Sequence, residues 1–180
     1  MRLTQGAILC LCLPALFLDG CTVGTNHTSD AALERVFNHS QAEFEVLLAE
    51  VQADSQLTTL QRNTVIYAGR LVNVDESDLS EVEHLGLSKD TWKRYQKQLR
   101  ELGLYGVLKS ESRVEFRLDP GSIRNGDSYK GYEYRQTPPE HVRTSLDGYR
   151  VFDGDKDRFG GWSVYKPLKA NWYLYLFVNK

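Results

Sequence analysis

The spacing of apolar and polar positions changes several times along the chain, and each change predicts an element. An apolar run, Ala7 to Leu18, gives way to a polar stretch, residues 22–30, with no apolar period. Leu33, Val36, Phe37, Phe44, Leu47, Leu48 and Val51 then recur at a spacing near 3.6. That predicts a helical face, capped at its start by Ser29 or Asp30. Leu57, Leu60, Thr64, Tyr67, Ala68 and Leu71 read as the face of a second helix. The two faces would bury one another as a helical hairpin. Residues 73–81 are acidic and loop-like, and Leu79, Val82 and Leu85 suggest a turn or two of helix. Ser88 then caps a helix with Trp92, Tyr95, Leu99 and Leu102 on one face, and Gly103 ends it.

After Gly103 the period falls to two. Val107, Val114, Phe116 and Leu118 alternate with charged residues, as half-buried strands do. Turns are expected at Asp119-Pro120-Gly121 and Asn125-Gly126, and a strand over Tyr129–Arg135 that Pro138-Pro139 breaks. Residues 140–148 read as a short helix with Val142 and Leu146 inward. Tyr149–Phe152, Trp162–Lys166 and Trp172–Val178 read as further strands. Helices first and strands second predict an α+β fold, with N-terminal helices packed on a C-terminal antiparallel sheet of about five strands. A single domain is expected over residues 31–180.

Of the 20 Phe, Tyr and Trp residues, 14 lie from Tyr105 onward, so the sheet carries most of the aromatic surface. In the last strand Trp172, Leu174, Leu176 and Val178 share one face, and Tyr173, Tyr175 and Phe177 share the other. Aliphatic residues gain most from a dry core. Tyrosine tips tolerate water, and Tyr and Trp are enriched in interfaces. The Tyr173, Tyr175 and Phe177 side is therefore the candidate binding surface, against the alternative that the same chain covers it.

The start of the chain carries a different message. Arg2, the short apolar run and a small residue before a cysteine form the order of an export signal. The run is too short to cross a hydrocarbon core of ~30 Å as a helix. Leu18-Asp19-Gly20-Cys21 resembles the lipobox of bacterial lipoproteins, with Asp19 an unusual residue for its position. That resemblance implies cleavage after residue 20, acylation of Cys21, and residues 21–30 as a flexible tether. It implies a lipid-anchored protein of the cell envelope, attached to the membrane through its N-terminus. In a Gram-negative host, Thr22 after the cysteine implies the outer membrane, facing the periplasm.

Cysteine usage agrees with that reading. Cys10 and Cys12 lie in the signal, so Cys21 is the one cysteine left, which excludes a disulfide framework or a Cys-rich zinc site. Arg2 and Asp19 leave together, so the net charge stays at −2. Neither sign dominates, and nothing points to nucleic acid.

Several motifs fall short of a chemistry. Residues 87–118 resemble a winged helix-turn-helix, with Lys89, Lys93, Arg94 and Lys97 on the helix. An exported protein meets no chromosome, so a helix packed on a sheet is the simpler reading. Asp153-Gly154-Asp155-Lys156-Asp157 spaces carboxylates as calcium loops do, but Arg158 and Val164 occupy the positions of the turn glycine and the bidentate glutamate. His27, His39, His84 and His141 have no zinc-ligand spacing, and no serine sits in a Gly-x-Ser-x-Gly elbow. Asn26-His27-Thr28 and Asn38-His39-Ser40 fit the glycosylation triplet, which has no such meaning in a bacterial lipoprotein. No catalytic residue, metal site or cofactor is expected. Three function classes stay open: a non-enzymatic binding or structural lipoprotein with an envelope protein as partner, a toxin-neutralising or inhibitor lipoprotein, and an enzyme with an unrecognised site.

Overall fold

The structure is a computed structural model that describes residues 28–118, 128–147 and 161–179. The fold is α+β, built on one antiparallel sheet. Helices α1 (Asp30–His39) and α2 (Gln41–Ala53) come first, then strands β1 (Leu57–Gln61), β2 (Thr64–Tyr67) and β3 (Arg70–Asn73). Helices α3 (Ser80–His84) and α4 (Lys89–Glu101) follow. The chain continues with β4 (Leu104–Lys109), β5 (Arg113–Leu118), β6 (Ser128–Arg135), β7 (Gly161–Lys169) and β8 (Trp172–Asn179). Strand order is β3-β2-β1-β4-β5-β6-β8-β7.

Among the described residues the sheet has eight strands in place of the expected five. Three of them come from residues 57–73, where the apolar spacing predicts a helix. The segment is rich in Thr, Val and Ile, which favour the pleated sheet over the helix. It also contains a two-residue hairpin loop, Ala68-Gly69, with φ of 50° and 75°. Two successive positive φ values are what a type I′ turn needs, and that turn matches the twist of the flanking strands. The helix-like spacing of Leu57, Leu60, Thr64 and Tyr67 is a coincidence of two short strands and their loop.

The first helical face is also divided. Ser40 (φ −113°, ψ 25°) interrupts the helix between α1 and α2. Val36 is 42 % exposed, whereas Leu33, Phe37, Phe44, Leu47, Leu48 and Val51 are buried. Ser29 caps α1, and its side chain accepts from Ala32 N–H at 3.3 Å. Asp30, read as the end of the tether, is the first helical residue and is buried.

Helix α4 forms as its sequence dictates. Ser88 Oγ accepts from Thr91 N–H at 3.1 Å, and Gly103 takes φ +65° just past the end. Trp92, Tyr95 and Leu99 are buried, with Leu102 beside them.

Alternation sorts the sheet into two faces. The inner face carries Val107, Val114, Phe116, Tyr132, Trp172 and Leu174, all buried. Phe37 lies 5.1 Å from Trp172, and Phe44 lies 4.8 Å from Tyr132 and 5.7 Å from Phe116, centroid to centroid. Each such ring contributes ~1.5–3 kcal/mol through burial. Lys109, also on this face, donates from Nζ to the carbonyls of Val51 (3.0 Å) and Asp54, which closes the C-terminal end of α2.

The segment expected as a short helix over 140–148 is not helical in its described part, residues 140–147. His141 to Arg143 runs beside β7, with Tyr165 N–H donating to His141 O at 2.9 Å and Arg143 N–H to Tyr165 O at 2.7 Å. This covers part of an edge strand whose backbone groups would otherwise be open. Val142 therefore points outward, 40 % exposed, while Leu146 is buried. The expected turns at 119–126 and the strand over 149–152 lie outside the described residues.

Candidate functional site

The outer face of the sheet unites the expected site residues. One register row crosses all eight strands: Leu71, Ile66, Thr59, Leu108, Glu115, Glu133, Tyr173 and Pro167. The next row brings Arg117, Gly131, Tyr175 and Tyr165 side by side, and a further one brings Tyr129, Phe177 and Ser163. Tyr173, Tyr175 and Phe177 thus lie on one face. Charged residues of β5 and β6, not singled out from the sequence, lie beside them.

The expectation that Tyr173 and Tyr175 present open rings does not hold. Tyr175 is 1 % exposed and Tyr173 is 9 % exposed, while Phe177 is half-buried. Tyr129 packs edge-on against Tyr175 at 5.9 Å, and Tyr165 edge-on against Tyr173 at 6.3 Å. The physical reason for the Tyr175 burial is Gly131. A Cβ there would stand 2.7 Å from the Tyr175 ring and 2.5 Å from the Phe116 carbonyl oxygen. Only a residue without a side chain lets the ring lie down on the sheet.

Two carboxylates sit among these rings. Glu115 and Glu133 are direct partners in register, and both are buried. Like charges in this arrangement repel. Three arginines offset that. Glu115 takes Arg113 Nη2 at 3.2 Å on one oxygen and Arg117 Nη2 at 3.0 Å on the other. Glu133 is less well served. Arg135 Nη1 stands 3.4 Å from Oε1 and Arg113 Nη1 4.0 Å from Oε2, and among the described residues Oε1 accepts no hydrogen bond. Burial pushes the Glu133 carboxyl up to about 7, against the pull of Arg113 and Arg135 and with the push of Glu115. Burial alone would lower Arg113 and Arg117, but their carboxylate partners, Glu115 for both and Glu133 for Arg113, outweigh it and hold both guanidiniums above their ordinary value. The Tyr175 hydroxyl is buried without a hydrogen-bond partner among the described residues, and burial drives it well above its usual range.

The arginines also lie over rings. Arg117 stands 5.1 Å from the centroid of Tyr129, and Arg135 stands 5.2 Å from that of Tyr165. Such contacts contribute ~0.5–2 kcal/mol each and fix the guanidinium planes. All three guanidiniums, with Tyr129 and Phe177, are half-buried. The arrangement is a set of oriented cations on an aromatic floor. Arg117 turns its Nε and Nη2 to Glu115 Oε2, at 3.3 and 3.0 Å, and Arg113 turns to both carboxylates, so an anionic group would meet the remaining N–H edges of these half-buried guanidiniums.

A second buried polar cluster lies on the inner face, where the described chain begins. Lys130 Nζ donates to Asp30 Oδ1 at 2.8 Å and to Asp147 Oδ1 at 2.7 Å. Leu146 N–H and Ser145 Oγ donate to Asp30 Oδ2, at 2.7 and 3.0 Å. Asp30 N–H in turn donates to Asp147, and Lys166 pairs with Glu34. Burial would raise the Asp30 carboxyl, but the Lys130 and Leu146 hydrogen bonds win and hold it at about 2. Every group here is spent on another, so the cluster fastens the start of α1 to β6 and to residues 145–147.

The other sequence candidates do not assemble. His39, His84 and His141 are exposed and lie on separate elements. Cys21, His27 and the carboxylates at 153–157 lie outside the described residues. Among the described residues, no group of three or more His, Cys, Asp or Glu is placed to hold a metal ion, and no helix is long and apolar enough to cross a membrane. Compared with known proteins, the chain matches no family model, no curated protein and no solved structure.

Proposed function

We propose that this protein is a lipid-anchored protein of the cell envelope, held through Cys21, whose folded domain has a non-enzymatic binding role. One observation carries the anchor. The apolar run ends in Leu18-Asp19-Gly20-Cys21, and Cys21 is the one cysteine outside that run. The Asp30 cluster supports the reading, because it gives a tethered domain a fastened point of attachment a few residues after the anchor. The helices form the layer over the inner face, which leaves the outer face as the recognition surface. Its contact groups are Arg113, Arg117, Arg135, Tyr129 and Phe177, with Tyr173 and Tyr175 as the packed floor beneath them. Its partner is an envelope protein with an acidic surface patch.

Metabolic labelling with a fatty-acid probe tests the anchor. Wild type should label and Cys21→Ser should not; equal labelling of the two rejects it. Crosslinking in intact envelopes tests the surface. Arg117→Glu should lose a crosslinked band that wild type gives, and an unchanged pattern would move recognition elsewhere. A toxin-neutralising role fits the same charged surface, and the mass-spectrometric identity of that band distinguishes it.

A further inference from the structure

A separate pocket lies beside α4, away from the outer face. It has a volume of about 170 Å³ and is lined by Glu76, Leu79, Trp92, Lys93, Gln96 and Arg100. The Gln96 side chain is buried, 3 % exposed, and its orientation is fixed. Its Nε2 donates to the backbone carbonyl of Gln61 on β1 at 2.9 Å. The other end of the carboxamide, Oε1, is therefore the atom left over. It is buried and accepts no hydrogen bond among the described residues. A buried acceptor in that state is unfavourable until a donor reaches it.

The charges around this pocket are also unspent. Lys93, Gln96 and Arg100 stand three and four residues apart, on one stripe of α4. Elsewhere on the helix the cations are paired: Lys89 with Glu83, Arg94 with Glu50 and Lys97 with Glu101. Among the described residues, Lys93, Arg100 and Glu76 have no ion-pair partner. Glu76 belongs to a turn held by its own bonds. Asp75 accepts from Ser77 N–H at 2.8 Å, and Asp78 accepts from Ser80 N–H at 2.9 Å.

We infer that this pocket binds a small zwitterionic α-amino acid, a function beyond the anchoring and recognition proposed above and independent of them. The ammonium group donates to Gln96 Oε1 and faces the Glu76 carboxylate. The carboxylate meets Lys93 and Arg100. The side chain rests on Leu79 and Trp92, and the volume admits a small or medium-sized one. The site joins one buried acceptor, one anion and two cations. A simple anion leaves Gln96 and Glu76 unmatched, and a simple cation leaves Lys93 and Arg100 unmatched.

Thermal unfolding of the full-length protein in detergent micelles, titrated with glycine, L-alanine, L-serine and L-leucine, tests the inference. At least one of the four should raise the unfolding midpoint saturably. Its N-acetyl form, which lacks the ammonium, and its amide, which lacks the carboxylate, should each need at least about tenfold more ligand for the half-maximal shift. The double variant Lys93→Ala/Arg100→Ala should show a loss of similar size. Both side chains are exposed, so this variant keeps the core intact even if Gln96→Met does not fold. The inference is overturned if none of the four gives a saturable shift up to about 10 mM, a concentration well above any useful affinity. It is equally overturned if the acetylated form binds as well as the free amino acid, or if the double variant binds as well as wild type.

Discussion

Glu115 and Glu133 face each other across β5 and β6 in direct register, both buried, and only Glu115 has a close guanidinium on each of its oxygens. The inequality leaves Glu133 with its carboxyl raised from 4.5 to about 7 by burial. A raised acid holds its proton longer in the folded state than in the unfolded one. Below about 4.5 both states are protonated and the group costs nothing. Between 4.5 and 7 the unfolded chain ionises first, and stability falls as pH rises. The loss is complete above the folded value, at about 3 kcal/mol for a shift of this size. Denaturant unfolding at about pH 4.5 and about pH 8 checks it. Glu133→Gln should remove that part of the pH dependence.

Gly131 and Tyr175 form the second pair on this face. Gly131→Ala places a methyl group where the Tyr175 ring and the Phe116 carbonyl already are. The ring must lift, and the backbone of β5 or β6 must also shift, because the Phe116 carbonyl oxygen would stand 2.5 Å from the new methyl group. A cost of ~1–3 kcal/mol is expected, as for other overpacked sites. Equilibrium unfolding measures it, and near-ultraviolet circular dichroism should show a changed tyrosine environment.

Asp30 titrates in the opposite sense. Its carboxyl lies at about 2, below the ordinary 3.8. A depressed acid contributes stability above the unfolded value and loses it as pH falls towards the folded one. That contribution is about 2 kcal/mol, lost between about pH 4 and pH 2. Asp30→Asn should cost about 2 kcal/mol at neutral pH, since Lys130 keeps Asp147 at 2.7 Å but loses its buried carboxylate partner. Acid denaturation of wild type and variant should converge at the low end. Parallel curves would show that Asp30 is not the group responsible.

Leu99 is fully buried on the inward face of α4. Leu99→Ala should cost ~2–5 kcal/mol, the range for buried leucines. An unfolding midpoint unchanged from wild type would place that face elsewhere.

Helix α4 was legible from its own residues, because Ser88, the Trp92–Leu99 stripe and Gly103 are local signals. Strands β4 to β6 and the division of β8 into two faces were legible for the same reason: alternation is local. In residues 57–73 the apolar spacing imitates a helix, and only the Thr, Val and Ile content and the Ala68-Gly69 turn mark the strands. Charged residues that alternate with apolar ones in a strand read as solvent-facing, so Arg113, Glu115 and Arg117 gave no hint of burial. Their meeting with Glu133 and Arg135 depends on which strands pair. Consecutive β5 and β6 do pair, but the register that sets Glu115 opposite Glu133 is not written in either strand, and the tyrosines beside them come from β8, which β6 pairs with in place of β7. The exposure expected of Tyr173 and Tyr175 failed for a related reason: what covers a face is decided by neighbours distant in sequence.

The most direct test of the account is the intact mass of the protein purified from envelopes with detergent. The lipobox-like segment predicts a mature chain that begins at Cys21, carrying acyl groups on its thiol and its amine. A chain that begins at any other residue, or at an unmodified Cys21, would contradict it.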